Sequence, residues 1–209
     1  MPLRAILINL LILLLCLAPL QPVRAKDPWL EMEKGLRRYN VENIIYRYSC
    51  FISESDRERI LSYGIEPLNN CLEAPPECGC FMQEGYENNE ILLLVRGMDR
   101  QACSEMWRRL ETAGCRTDNA RAWSIEAYHS GNPDPAALGA GLVRALGGRV
   151  QSVHTGSGMV QLLAYLPWAG EGLPLGEGAV NLHLELYRIA SSEKVRIRLG
   201  IPVLPSMAF

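Results

Sequence analysis

The chain has 209 residues, of which 48% are hydrophobic and 21% are charged, a balance that excludes global disorder and allows one compact domain or two small fused lobes. Its 21 basic and 23 acidic residues give a net charge of −2 at pH 7. Nucleic-acid-binding proteins normally carry a clustered basic surface, so this overall balance argues against that class.

The N-terminus has the three parts of a secretory signal peptide. Arg4 gives a positive start, residues 5–20 are an apolar run, and Val23 and Ala25 suit the −3 and −1 positions of a cleavage site. We expect cleavage after Ala25, which removes two arginines and leaves an extracytoplasmic chain with a net charge of −4. An uncleaved N-terminal anchor is the main alternative, and a lipoprotein attached at Cys16 is a weaker one.

Six cysteines remain after this cleavage, and an even number outside the cytoplasm suggests disulfide bonds. The segment CLEAPPECGC contains three of them and has the composition of a loop, which favours bridging there. The candidate disulfide cysteines are Cys50, Cys71, Cys78 and Cys80. Cys103 and Cys115 lie on and just past an apolar helix face, where buried thiols are the simpler alternative. The segment lacks two C-x-x-C pairs, so we expect no metal.

The first half of the mature chain mixes helices and strands. Asp27 and Pro28 begin a short helix, and VENIIYRYSCFIS predicts a strand because β-branched and aromatic residues dominate it. SDRE, residues 55–58, has the spacing of a capping box that begins a second helix. NEILLLVRG predicts a central strand, and DRQACSEMWRRLETAGC predicts an amphipathic helix from its i, i+3/i+4, i+7 apolar spacing.

The pattern then restarts. ARAWSIEAYHSG predicts a strand with Trp123 and Ile125 on one face, and NPDPAALGAGLVRALGG predicts a helix capped by Asp134. Gly139 and Gly141 are poor helix formers, which indicates close approach of this helix to a sheet. RVQSVHTG and MVQLLAYLPW predict two strands joined by a glycine turn, and AGEGLPLGEG predicts a loop.

The last two strands show the clearest alternation of the chain. One set of alternate positions is apolar and must be buried: Val180, Leu182, Leu184, Leu186, Val195, Ile197, Leu199 and Ile201. The other set begins with Asn181 and contains the residues that we predict as a partner-binding face: His183, Glu185, Tyr187, Arg196 and Arg198. A solvated face on which opposite charges pair across strands is the simpler alternative.

These elements predict an α+β fold built from two tandem β-α-β(n) repeats. Residues 26–117 hold the N-terminal helix and the first repeat, and residues 118–209 hold the second, similar in element order rather than in residues. The two repeats are expected to form one compact unit with a curved antiparallel sheet. Its helices lie on one face and leave the other bare.

Two segments carry a resemblance to a known family: the opening PWLEMEKGLRRYNV and the terminal VNLHLELYRIASSEKVRIRLGIPVLP. With the signal peptide and the long amphipathic helix, they resemble the YwmB family of exported Firmicute proteins, over most of the mature chain. The resemblance implies a TATA-box-binding-protein-like fold and an unassigned activity without a catalytic signature. The CLEAPPECGC segment departs from the family pattern.

We therefore expect a binding or interaction module of the cell envelope that contacts an envelope protein or polymer, with no catalytic residues and no cofactor. HTGSGMV is not a nucleophile elbow, because it joins two strands, and no histidine lies in a metal-binding motif. An envelope enzyme acting on wall material near His183 and Glu185 is the alternative. Nucleic-acid binding, by analogy with the fold, is a distant one, and the membrane is contacted only through an uncleaved leader.

Overall fold

The computed structural model describes residues 27–68, 77–83, 91–114, 122–156, 158–176 and 178–202. These residues form an α+β structure in which helices pack on a large, curved, open antiparallel sheet. The predicted α+β class is therefore confirmed. The predicted leader, residues 1–25, lies outside the described residues, as do Cys71 and Cys115.

The described part of the chain contains four α-helices: α1 (Pro28–Leu36), α2 (Glu54–Ser62), α3 (Arg100–Thr112) and α4 (Pro135–Ala145). Its first five strands are β1 (Val41–Ile52), β2 (Gly79–Gln83), β3 (Ile91–Gly97), β4 (Ala122–Ser130) and β5 (Arg149–Gly156). The remaining strands are β6 (Met159–Tyr165), β7 (Leu173–Leu175), β8 (Gly178–Val180), β9 (Leu182–Ile189) and β10 (Lys194–Ile201). Over these residues, no helix has both the length and the apolar composition that a membrane span requires.

Eight of these strands form one sheet in the order β2-β3-β1-β4-β10-β9-β6-β5, and all neighbours are antiparallel. β1 and β4 pair near its middle, with Tyr46 opposite Ile125. β1 also pairs with β3, and β4 pairs with β10. The strands of the two chain halves therefore lie on opposite sides of the β1–β4 pair.

The helices cover one face of this sheet and bury its apolar side chains. α1 crosses the centre, where the Trp29 ring packs edge-on against Trp123 with 4.7 Å between centroids. α3 contacts β3 and β1, and α4 contacts β9, β6 and β5. The eight apolar positions predicted to be buried in the terminal strands are 0–4% exposed, which confirms that prediction.

Side-chain caps set the start of the helices. Asp27 and Asp134 accept backbone N–H bonds at the starts of α1 and α4, as predicted. The capping box predicted at residues 55–58 is wrong, because α2 begins two residues earlier. Ser53, the first residue after β1, accepts from the Asp56 N–H at 3.2 Å and donates its own N–H to the Asp56 carboxylate at 3.2 Å.

Gly139 allows α4 to approach the sheet, as predicted. A Cβ at this position would lie 2.6 Å from a methyl carbon of Leu162 in β6 and 2.8 Å from one of Leu186 in β9. The same prediction is wrong for Gly141, where a Cβ would instead meet the hydroxyl of Tyr39 at 2.6 Å. That side chain belongs to the connection between α1 and β1 rather than to the sheet.

Two further features differ from the sequence predictions. The segment predicted as a loop, residues 169–178, contains β7 and the first residue of β8, and these two strands pair as a small separate sheet. Asn181 is fully buried at the break between β8 and β9 and does not join the polar face. Its side chain accepts from Leu166 N at 2.7 Å and donates to Leu166 O and Gly170 O, both at 2.9 Å. It thereby satisfies the backbone where the chain leaves β6.

Candidate partner-binding face

Strand pairing brings charged side chains from five strands together on the face opposite the helices. Arg47 of β1 lies opposite Arg96 of β3, and Arg198 of β10 lies opposite Glu126 of β4 and Glu185 of β9. These residues alternate with the buried core positions, so they share the helix-free face. We call this surface the arginine face, and its members are Arg47, Arg96, Glu126, Glu185, Arg196 and Arg198.

Glu126 is the most deeply buried charge of the arginine face, with 3% of the residue exposed. Its Oε2 lies 2.9 Å from Arg47 Nη2 and 2.8 Å from Arg196 Nη2, and the Tyr128 hydroxyl donates to Oε1 at 3.0 Å. Burial alone would raise the pKa of Glu126, but these bonds and the two positive charges outweigh it and lower the pKa below its usual value. Glu126 is therefore a fixed negative charge at neutral pH.

Glu185 occupies the other side of the arginine face. Its Oε2 accepts from Arg198 Nη1 at 3.0 Å, and its Oε1 accepts from Gln161 Nε2 at 3.4 Å. His183 Nε2 lies 3.7 Å from the same Oε1. Both carboxylate oxygens thus have neighbouring groups that hold the side chain in place.

A shallow cavity of about 110 Å³ opens on the arginine face. It is lined by Met159, Glu185, Tyr187, Arg196 and Arg198. Four of the five residues predicted for partner binding therefore surround one cavity. The fifth, His183, is only 9% exposed and reaches the site through its contact with Glu185.

The sequence prediction missed Arg47 and Glu126, which complete the site from β1 and β4. Both alternate with core residues in their strands, which is the signal that could have found them.

The helix-free face is also not bare throughout. Phe81, Leu92 and Ala122 belong to it by register and are only 3–5% exposed. The accessible part of this face therefore lies towards β10, β9 and β6.

The described cysteines are free thiols: Cys50, Cys78, Cys80 and Cys103. The thiols of Cys78 and Cys103 are hydrogen-bonded to each other, and Cys103 Sγ also lies 4.0 Å from the carbonyl oxygen of Glu77. The hydrogen bond from Cys103 lowers the pKa of Cys78, whereas the same bond and burial raise the pKa of Cys103. The two thiols are therefore close enough for each to affect the ionisation of the other.

Mass spectrometry after thiol alkylation without reductant tests the disulfide prediction. With a small-molecule disulfide as the oxidant, we expect a bond between Cys78 and Cys103, a pairing outside the four cysteines predicted from the sequence. One thiolate displaces a small-molecule thiolate to form a mixed disulfide, and the second thiol, which lies within reach, displaces the other. The substitution Cys103→Ser should then make Cys78 available to the alkylating reagent. Labelling of every cysteine without reductant would contradict the prediction.

In the described part of the chain, no group of three or more His, Cys, Asp and Glu side chains could hold a metal ion. Comparison with models of known protein families and with curated proteins found no match for this chain. The geometry of the arginine face is therefore the main guide to function.

Proposed function

We propose that this protein is an exported, non-catalytic binding module of the cell envelope that resembles the YwmB family and binds its partner through the arginine face. The observation that carries the proposal is a cavity lined by three charged side chains, Glu185, Arg196 and Arg198, on a sheet face that carries three more. A solvated face needs no such cavity, whereas a binding site places a few polar groups at a concave surface. Its leader, residues 1–25, would be removed after Ala25 to give an extracytoplasmic protein.

The proposed fold has two unequal repeats related across the β1–β4 pair, as in a TATA-box-binding-protein-like sheet. Two pairings support this relation. In the first half, the initial strand β1 pairs with the last strand β3, and in the second half the initial strand β4 pairs with the last strand β10. The first half contributes three strands to the large sheet and the second contributes five.

The hydrogen bonds and ion pairs of Glu126 and Glu185 favour a binding role over a catalytic one. A general acid needs a proton at working pH, and Glu126 is held in its ionised form by two arginines. Glu185 is bonded to Arg198 and Gln161, so its lone pairs are directed at protein groups. These carboxylates hold the arginines in place, which is the role expected in a recognition surface.

Reversing the charges of the cavity arginines tests the proposed function. The double variant Arg196→Glu/Arg198→Glu should abolish recovery of the native partner from the envelope fraction, because the arginine face would then repel the group it attracts. The single variant Arg198→Glu leaves the Arg196–Glu126 pair in place and guards against misfolding. Arg108→Glu, on the exposed surface of α3, is the matched control and should retain the partner.

The outcome that contradicts the proposal is recovery of the same partners by all these variants with unchanged circular dichroism. Hydrolysis of envelope polymers that disappears in His183→Ala would favour the enzyme alternative instead. A gel shift that is strongest at low salt would favour nucleic-acid binding, because that attraction is mainly electrostatic.

A further inference from the structure

We propose that the cavity on the arginine face binds an anionic group of the partner, a carboxylate or a phosphate, with Arg196 and Arg198 as its donors. This inference rests on the proposed function and names the chemistry of what is recognised. Arg196 and Arg198 are two residues apart on β10 and line the same cavity, so they present two guanidinium groups to one volume. Guanidinium groups bind carboxylate and phosphate by paired hydrogen bonds.

The charges of the arginine face do not cancel. Arg96 aside, the three guanidinium groups of the arginine face share two carboxylates, because Glu126 pairs with both Arg47 and Arg196. Glu185 neutralises Arg198 alone. These five groups therefore carry an excess of one positive charge in a chain whose net charge is negative. An anion in the cavity would supply part of the missing negative charge.

The surroundings of Arg47 show that the arginines affect one another. Burial is the main cause that lowers the pKa of Arg47 below its usual value, and Glu126 opposes this shift. The positive charges of three neighbours lower it further: Arg96, Arg196 and Arg198. Bringing a negative charge to the cavity would relieve this repulsion.

Arg196 retains an unused donor. Its Nη2 bonds to Glu126, but its Nε is buried and has no hydrogen-bond partner among the described residues. Because this Nε is buried, a ligand in the cavity does not reach it, and the remaining Nη1 is the donor that Arg196 offers. Arg198 likewise directs Nη1 at Glu185, which leaves the rest of its fork for a ligand.

The size and walls of the cavity limit what can enter. The cavity of about 110 Å³ is small and is lined by only five residues. This suits one carboxylate or phosphate group, with the remainder of the ligand outside. Met159 and the ring of Tyr187, which is 47% exposed, form an apolar wall for the carbon next to the anion. Glu185 also lines the cavity, and its negative charge opposes a ligand of high negative charge.

Nuclear magnetic resonance titration of the purified, ¹⁵N-labelled chain tests the proposal. The probes are inorganic phosphate and acetate at constant ionic strength, with sodium chloride as the reference. We expect saturable shifts of the arginine Nε–H signals and of backbone amides in β9 and β10. A stronger response to phosphate identifies a phosphate-bearing partner, and a stronger response to acetate identifies a carboxylate-bearing one.

Variants of opposite expected effect separate binding from folding. Arg198→Gln should lower the affinity for the anion by about tenfold, the size expected when one charge-assisted hydrogen bond is lost. Glu185→Gln removes a competing carboxylate and should tighten binding, which a purely structural role does not predict. Arg108→Gln is the matched control, because it removes one exposed arginine from α3 and should leave the titration unchanged.

Shifts that do not saturate, or that are equal in the parent chain, Arg198→Gln and Arg108→Gln, overturn the anion site. If Arg198→Gln fails to fold, the Glu185→Gln titration tests the anion site instead. An affinity for the anion that is unchanged in Glu185→Gln also overturns the site. If the titration overturns the anion site while Arg198→Glu still reduces recovery of the partner, the proposed function stands. Loss of both would remove the proposed function as well.

Discussion

Replacing Glu126 with glutamine is expected to lower the free energy of unfolding by about 3–5 kcal/mol, the range for breaking a buried ion pair by removing one partner. Glutamine keeps the shape of the side chain but removes the negative charge that faces Arg47 and Arg196 at 2.9 and 2.8 Å. Arg47 would then remain largely buried among other arginines. Urea unfolding followed by tryptophan fluorescence at pH 7 measures the loss.

The same substitution should flatten the dependence of stability on pH. The pKa of Glu126 is lower in the folded chain than its ordinary value of 4.5, so the unfolded chain binds more protons as the pH falls through this region. Its contribution to stability is therefore present above pH 4.5 and is lost as the pH falls through the folded pKa. Glu105→Gln, in an exposed pair on α3, should change stability by at most about 1 kcal/mol. Equal losses in both variants would show that Glu126 does not balance the arginines.

Trp29→Ala should lower the free energy of unfolding by about 3–5 kcal/mol, as for other fully buried large aromatic residues. The side chain is 0% exposed and packs between Trp123 and Tyr46. Its indole N–H also lies 3.0 Å from the carbonyl oxygen of Arg47 and 3.1 Å from that of Ser124, which joins the two central strands. Urea unfolding again measures the change.

Two variants distinguish the contributions of Trp29. Trp29→Phe keeps much of the packing and should cost about 1–3 kcal/mol, because it leaves buried carbonyl groups without their donor. Leu173→Ala, at a position that is 57% exposed, is the control and should fall within about 0.5 kcal/mol of the parent chain. A small loss in Trp29→Ala would mean that α1 contributes little to the folded sheet.

Local sequence signals predicted those parts of the fold that depend on neighbouring residues. Alternation identified the buried faces of β9 and β10, and Asp27 and Asp134 marked two helix starts. The predicted position of the capping box was wrong because two serines, Ser53 and Ser55, lie close together. Ser53 is the cap because β1 ends directly before it. The prediction that Asn181 lies on the polar face was wrong because its hydrogen-bond partners, Leu166 and Gly170, come from a separate turn.

The candidate site was predictable only in part, for a related reason. Four cavity residues come from one hairpin, β9–β10, whose register follows from its own alternation. Arg47 and Glu126 reach the same face because β1 and β4 lie beside that hairpin, and strand order is not encoded locally. The pairing of Cys78 with Cys103 likewise depends on how α3 packs against the sheet.

The strand order also determines when the molecule can fold. The hydrogen bond from Trp29 to Ser124 cannot form until Ser124, 95 residues further along the chain, has been made. Likewise, β4 cannot pair with β10, which ends at Ile201, until that strand has been made. Contacts between distant parts of a chain require loop closure before they give any stabilisation, which slows folding. Hairpins such as β5–β6 can form during synthesis, but the centre of the sheet cannot be completed until the last strand has left the ribosome. The sheet between β4 and β9 therefore closes only after residues 194–201 have been synthesised.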